Sequence, residues 1–379
     1  MKKIIVAADI VPTENNFIYF EQADTNYLIG EKLETRFSEA SFIIMNLEVP
    51  LIDTYSPIRK CGPCLVAPTK TIAGIKKINP YFFTLANNHI LDQGVSGLES
   101  TINVLKQNDI DYSGVGDSVV SARKPFIKDV LGTRIGIYCC AEHEFSIAGS
   151  HSAGANPFDP LVSFDDVYAL KFMCDYLIVL YHGGKEHYRY PSPKLKRVFH
   201  KFADSGADLV IAQHSHCIGC REIYNKSTLI YGQGNFLFDH SDSDYWKTSM
   251  LIEVELDSRN ISYIPIVKHG NAVREASDAE WNNILVDFYK RSDEICSDDF
   301  VEQQYRNFAL EMRSAYLQRF SGMFSSNLLV RVLSKISRQR FIESFYNDES
   351  RLAIQNVLDC EAHRELASEA MKSDSVIQG

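Results

Sequence analysis

The sequence predicts an α/β layered domain followed by an all-helical C-terminal extension, and three observations predict it. Short β-branched and aromatic runs recur through the first two-thirds of the chain. Segments of helical periodicity lie between several of them, and from about Asn271 onward long helical periodicities replace the strand-type runs. Composition agrees: 45% hydrophobic and 23% charged residues exclude a disordered or fibrous chain, and 379 residues allow a large core or two domains.

The elements follow in order. Lys3 to Ala8, Phe42 to Leu47, Tyr81 to Leu85, Arg134 to Cys140, Tyr176 to Tyr181, Asp208 to Ala212 and Thr228 to Tyr231 are short apolar runs of the kind that form buried strands. Between them, Gly97 to Gln107 sets Leu98, Ile102 and Leu105 on one helical face, and Ser192 to Ala203 carries Pro193 near its start. Met250 to Leu256 and Ile261 to Val267, joined by Asp257 to Asn260, read as a hairpin that closes a domain of residues 1–270. The rest, 271–379, reads as helices at Asp278 to Ser292, Phe300 to Leu317, Asn327 to Arg338 and Glu349 to Met371. This extension is rich in aromatics and poor in residues suited to chemistry. It is expected to pack on the main domain or to meet a second copy or another partner.

Charge narrows the function classes. A net charge of -10 repels polyanions, so nucleic acid is not an expected partner. No apolar run approaches the ~18 residues of a membrane span, and Asp9 interrupts the apolar run behind Lys2 and Lys3, unlike a signal peptide. Nine cysteines, an odd number spread over a large chain, suggest reduced thiols and a cytoplasmic protein.

Residues of metal-ligand type sit at the ends of the expected strands. Asp9 follows the first, Asn46 and Glu48 the second, and Asn87, Asn88, His89 and Asp92 the third. His182 ends the Tyr176 run, His214 and His216 follow the Asp208 run, and Asn235 follows the Thr228 run. Strand carboxyl ends of an α/β sheet converge on one edge, so residues more than 200 positions apart can share a pocket. Histidine, carboxylate and asparagine oxygen suit a divalent Mn, Fe or Zn, one ion or two, and the absence of thiolate from the set favours a catalytic over a structural site. Each residue alone has a plainer reading, an aspartate as a turn residue and a histidine as a hydrogen-bonded core residue. Their joint placement carries the metal reading.

The motifs NLEVP (Asn46 to Pro50), LANNHILDQG (Leu85 to Gly94), GVG with downstream ARKP (Gly114 to Pro125), HGGKEHYRYPSP (His182 to Pro193), HSHCIG (His214 to Gly219) and YGQGNFLFD (Tyr231 to Asp239) resemble, in order and spacing, the CapA/PgsA-type capsule and poly-γ-glutamate synthesis family. The resemblance covers about Lys3 to Val267. It implies a calcineurin-like metallophosphoesterase fold, a β-sandwich flanked by helices, and a metal-dependent hydrolase in capsule or cell-surface polymer biosynthesis. The alternative it leaves is a non-catalytic capsule-assembly factor that binds a ligand in the same pocket.

Carried over by position, the resemblance implies Asp9, Glu48, Asn88, His182, His214 and His216 as metal ligands, with Glu48 bridging, and His89 as the catalytic histidine that faces the scissile group. Asn46, Asn87, Asp92, Glu186 and Asn235 remain as residues expected near an anionic small-molecule or polymer substrate. Positive groups near the rim, Arg59, Lys60, Lys185, His187 and Arg189, suit either the same anion or an ordinary solvated face. One departure matters: the superfamily's Asp-x-His motif reads Asp9-Ile10-Val11, so one ion would keep Asp9, Glu48 and His216 alone as protein ligands. Two CxxC elements, Cys61 to Cys64 and Cys217 to Cys220, are separated by more than 150 residues, and ordinary thiols are the expectation over a four-cysteine zinc site or a redox pair.

Overall fold

The computed structural model describes residues 2–322, 327–337 and 340–371. Strands in chain order are β1 (Lys3–Val11), β2 (Phe42–Leu47), β3 (Phe82–Thr84), β4 (Asp111–Ser113), β5 (Val115–Gly116), β6 (Phe126–Val130), β7 (Thr133–Ala141) and β8 (Gly154–Ala155). They continue as β9 (Tyr176–His182), β10 (Leu209–Gln213), β11 (Arg221–Tyr224), β12 (Ser227–Ile230), β13 (Asn235–Phe238), β14 (Thr248–Glu255), β15 (Asn260–His269) and β16 (Ala272–Glu275). The helices are α1 (Phe17–Glu21), α2 (Thr25–Glu39), α3 (Ile72–Ile78), α4 (Gly94–Gln107), α5 (Val119–Ala122), α6 (Ser163–Lys171), α7 (Pro193–Asp204) and α8 (Asp278–Glu294). Five more follow: α9 (Asp298–Phe320), α10 (Leu328–Ile336), α11 (Arg340–Glu343), α12 (Asp348–Asp359) and α13 (Glu361–Ala370).

Two sheets form a sandwich. One has the order β16-β15-β14-β1-β2-β3-β4, with β13 also paired to β1, and the other runs β11-β12-β10-β9-β7-β6. Inner faces of both sheets meet in one apolar layer that includes Ile4, Val6, Phe42, Ile44, Ile137, Ile178, Leu180 and Ile211. On the outer face of the first sheet, Leu28, Leu33 and Phe37 of α2, Ile75 of α3 and Leu98 of α4 cover Ile5, Ile43 and Phe83. On the outer face of the second, Val167 of α6 and Phe199 and Phe202 of α7 cover Leu177, Val179 and Val210. The layers are therefore helix, sheet, sheet, helix, the helix-flanked β-sandwich of the expectation. Strands buried on both faces explain why they read as unbroken apolar runs.

The chain forms two compact units, Met1–Val301 and Glu302–Gly379. In the first, β16 adds a strand after the expected hairpin and precedes the first helix of the region read as helical from 271. Helix α8 belongs to this unit, where Phe288 packs on Tyr263 with ring centroids 5.0 Å apart and Arg291 Nε donates to Gly219 O at 2.8 Å. The second unit has a small core of Leu317, Val330 and Ile342. The expected helix from Glu349 to Met371 is two helices, because Cys360 adopts extended angles (φ -79°, ψ 117°) between α12 and α13. No glycine or proline marks that break. Arg338, the expected end of the preceding helix, and residues 372–379 lie outside the described residues. Among the described residues, no helix is long and apolar enough to cross a membrane.

Glycine is required where the sheets close on each other. Gly114 has φ +86°, and a Cβ there would lie 2.7 Å from Ala86 Cβ and 2.8 Å from Cys139 Cβ, both in the inter-sheet layer. Gly132, in the β6–β7 turn at φ +85°, has open space around it. Gly114→Ala is therefore expected to cost about 2–4 kcal/mol and Gly132→Ala about 1 kcal/mol in urea unfolding. Equal costs would mean that backbone conformation alone, not the close approach, sets the requirement.

Candidate metal centre

Strand alternation decides which side chains point between the sheets. In β2, Phe42 and Ile44 face the inter-sheet layer, so Asn46 and then Glu48 continue on that side. In β9, Tyr176, Ile178 and Leu180 do the same, which brings His182 inward; in β10, Leu209 and Ile211 bring Gln213 inward. β1 needs a correction of phase. Ile4 and Val6 face the inter-sheet layer and Ile5 and Ala7 the helices, so strict alternation would point Asp9 at the helices. The β1–β2 register runs from Val6↔Ile44 to Asp9↔Asn46, three residues against two. That bulge turns Asp9 inward, beside Asn46 on one flank and Asn235 of β13 on the other.

The expected ligands come together. Glu48, His182 and His214 form one group and Asp9, Glu48 and His216 a second, each with one candidate ligand atom per residue within 4.8 Å of the others. Glu48 is common to both. His182 Nε2 lies 3.2 Å from Glu48 Oε1 and 3.0 Å from Asn88 Oδ1, which adds Asn88 to the first group. His216 Nδ1 lies 3.8 Å from Asp9 Oδ2. His214 (φ +92°) and His216 (φ +53°) both occupy the left-handed region, a strained conformation that aims two rings from one short loop toward the same place.

Asp9 Oδ2, both oxygens of Glu48 and His214 Nδ1 are buried with no hydrogen-bond partner. Buried acceptors facing one another are costly unless a cation lies among them, so the residues present fit a divalent ion. Burial, and for Asp9 the neighbouring Glu48, raises the carboxyl pKa to about 8 for Asp9 and about 7 for Glu48. Burial lowers His182 to about 4 and His214 to about 3, and holds His216 well below its ordinary value. The imidazoles are therefore neutral, as ligation requires, and the carboxyls hold protons that a cation would displace.

The other expected residues surround this centre. Asn46 Nδ2 donates to Asp9 Oδ1 at 2.7 Å and lies 3.2 Å from His182 Nδ1, while Asn87 Nδ2 donates to Asn46 Oδ1 at 3.1 Å. Asn235 Oδ1 is 2.8 Å from His216 Nδ1. His89 stands outside both ligand groups: its Nδ1 is 2.6 Å from Asp92 Oδ2, and its backbone N–H donates to Asn87 Oδ1 at 3.1 Å. Glu186 is exposed, its carboxylate 3.0 Å from Lys185 Nζ. The sequence placed Lys60 on the rim, but its side chain is only 2% exposed and pairs with Asp92, with Nζ 3.2 Å from His89 Nδ1. Leu65 N also donates to Asp92, at 2.6 Å, and Ser56 N donates to Gln93 Oε1 at 2.8 Å, so the loop between β2 and α3 is pinned to the His89 turn.

Sequence reasoning missed Glu144, which accepts from Asn88 Nδ2 at 3.0 Å, and Trp246, whose ring stacks 4.6 Å from His216 and whose Nε1 donates to His187 Nε2 at 2.9 Å. Glu144 follows the end of β7 by three residues, so the strand-end signal that located the others could have found it, whereas Trp246 lies just before β14, where that signal gives nothing. Among the described residues no cysteine joins either ligand group; Cys61 is exposed, while Cys217 and Cys220 are buried.

The model of the family described as "Bacterial capsule synthesis protein PGA_cap" matches residues 3–240. The capsule biosynthesis protein CapA of Bacillus anthracis is 27% identical over 212 residues, which cover 54% of this chain and 51% of that one. The PGA biosynthesis protein CapA of Bacillus subtilis (strain 168) is 26% identical over 218 residues, 56% of this chain and 57% of that one. The chain thus spans about half the length of these curated relatives. Among solved structures, a novel phosphatase from Mycoplasma pneumoniae aligns with a TM-score of 0.43 at 14% identity, over 74% of this chain and 96% of that one.

The raised carboxyls fix the sign of the pH dependence. Unfolded Asp9 and Glu48 release protons near pH 3.8 and 4.5 while the metal-free folded chain keeps them to about pH 8 and 7, so these groups make the metal-free fold less stable as pH rises from about 4 to 8. Adding a divalent ion at pH 6.5 is expected to release roughly one to two protons, and almost none at pH 9. Titration calorimetry in buffers of different ionisation enthalpy measures this. Release that does not change with pH would contradict the burial of two protonated carboxyls.

Proposed function

We propose that this chain, which belongs to the bacterial capsule synthesis protein PGA_cap family, is a metal-dependent hydrolase of a phosphoester, or of an amide, in capsule or cell-surface polymer biosynthesis. The observation that carries the proposal is Glu48, a fully buried carboxylate with no donor that belongs to both candidate ligand groups. Asp9, Glu48, Asn88, His182, His214 and His216 would hold one or two ions of Mn, Fe or Zn, with Asp9, Glu48 and His216 alone at the second position. The ion supplies Lewis acidity toward a phosphoryl or carbonyl oxygen and toward water.

The chain's own residues orient the substrate and handle its proton. Asp92 holds His89 through Nδ1, which leaves Nε2 to protonate the leaving oxygen or amine. Lys60 and the Leu65 N–H keep the Asp92 carboxylate in place. Lys185 and Arg189 supply positive charge for an anionic small-molecule or polymer substrate. The spread of nine cysteines supports a cytoplasmic location, and the chemistry belongs to residues 1–270, with 271–379 outside it.

A second reading, a non-catalytic assembly factor that binds a ligand at the same place, is supported by the burial of all six proposed ligands. Metal analysis of protein purified without chelator, then turnover of a phosphomonoester, phosphodiester and amide panel with added Mn, separates the two. Bound metal without turnover on any substrate favours the assembly factor.

His89→Ala is expected to keep the metal and to lower turnover by roughly 10²-fold or more for substrates with a poor leaving group, but much less for an activated one. Paired assays on alkyl and nitrophenyl esters measure the difference. Loss of metal would make His89 a ligand, and full activity on every substrate would remove it from the mechanism.

A further inference from the structure

The second unit carries an excess of uncovered apolar surface. Among its described residues only Leu317, Val330 and Ile342 form a buried apolar core, a small core for a stretch of about seventy residues. Helix α10 shows the imbalance most clearly. Val330 points into that core, while Leu328 (70% exposed), Leu329 (72%), Val332, Leu333 and Ile336 (75%) are open to solvent. At about 100° per residue these five span an arc of roughly 140°, one continuous apolar face. A face of this kind marks an interaction surface.

Charge indicates what covers it. From Ser321 to Ile342 the chain has Arg331, Lys335, Arg338 and Arg340 and no acidic residue, in a protein of net charge -10. The two helices that follow have the opposite character. α12 and α13 bury no residue, leave Leu352, Leu358 and Leu366 exposed, and from Asn347 to Met371 the chain has six carboxylates (Asp348, Glu349, Asp359, Glu361, Glu365, Glu369) against Arg351 and Arg364. The α10 segment is thus basic and apolar in sequence and the α12–α13 segment acidic and apolar, and among the described residues the apolar side chains named on both are exposed. An anionic bilayer would attract the first and repel the second, whereas a second copy of this chain complements both.

We propose that the unit 302–371 is a self-association module, in which α10 of one copy docks on α12–α13 of a second copy and the second copy returns the same contact. The pairing is a closed two-fold arrangement in which each copy uses both surfaces once. It needs no residue of the metal centre.

Sedimentation equilibrium of the full chain at micromolar concentration tests it. The wild type is expected to be a dimer. Val332→Asp/Ile336→Asp, at two solvent-exposed positions, is expected to keep its helical circular dichroism and to raise the dissociation constant about 100-fold or more. Arg331→Glu/Lys335→Glu and Glu361→Lys/Glu365→Lys should each be monomeric alone, yet a mixture of the two should form a heterodimer, because both contacts regain opposite charges. A monomeric wild type, or a dimer indifferent to Val332→Asp/Ile336→Asp, would overturn the proposal. So would a mixture that stays monomeric, or co-flotation of monomeric protein with phosphatidylglycerol vesicles that the Val332→Asp/Ile336→Asp change abolishes.

Discussion

Two carboxylates buried between sheets, with three of their four oxygens lacking a donor, are the constraint around which this fold is arranged. Asp9 and Glu48 have no exposed surface, and the same burial keeps the neighbouring histidines neutral, so no charged imidazole is at hand to balance the two carboxylates once they ionise. Such an arrangement stands only if protons or a cation occupy it. The surroundings follow from that need. Asn46 satisfies the remaining oxygen of Asp9, and asparagines rather than further acids occupy the flanking register positions, Asn46 and Asn235. An acid at either place would add charge that nothing on hand could balance.

Backbone geometry serves the same end. Regular pairing along β1 would favour the sheet and misdirect Asp9, so one extra residue is accommodated at a point where the strand lies among three partners, β2, β13 and β14. The left-handed histidines after β10 show the same trade of local regularity for aim. The helical layers pay back the cost through apolar burial on both outer faces.

Much of this was legible because buried strands write themselves as apolar runs and their carboxyl ends as polar punctuation. Phe42–Leu47 appears in the structure with the bounds the sequence suggested, and the proposed ligands were picked out at the ends of expected strands, although Asp9 lies within β1 and His182 is the last residue of β9. Legibility failed where no run or period exists. Helix α2 was not anticipated: Gly30 interrupts it with non-helical angles (φ 73°, ψ 158°), which breaks the apolar period. The break at Cys360 has no glycine or proline to announce it. Lys60 looked like a rim cation because sequence alone cannot tell that the chain folds back to bury an ammonium against Asp92. Long-range pairings of this kind leave no local trace.

Trp246 has a consequence of another sort. The chain has two tryptophans, and this one lies flat against His216 and hydrogen-bonds His187, while Trp281 packs on the helix-covered side of the first sheet. An aromatic face attracts positive charge, so an imidazole that gains a proton or shares its lone pair with a cation becomes a better stacking partner. A cation or proton at the buried centre would therefore change the surroundings of one of the chain's two indoles and leave those of the other alone.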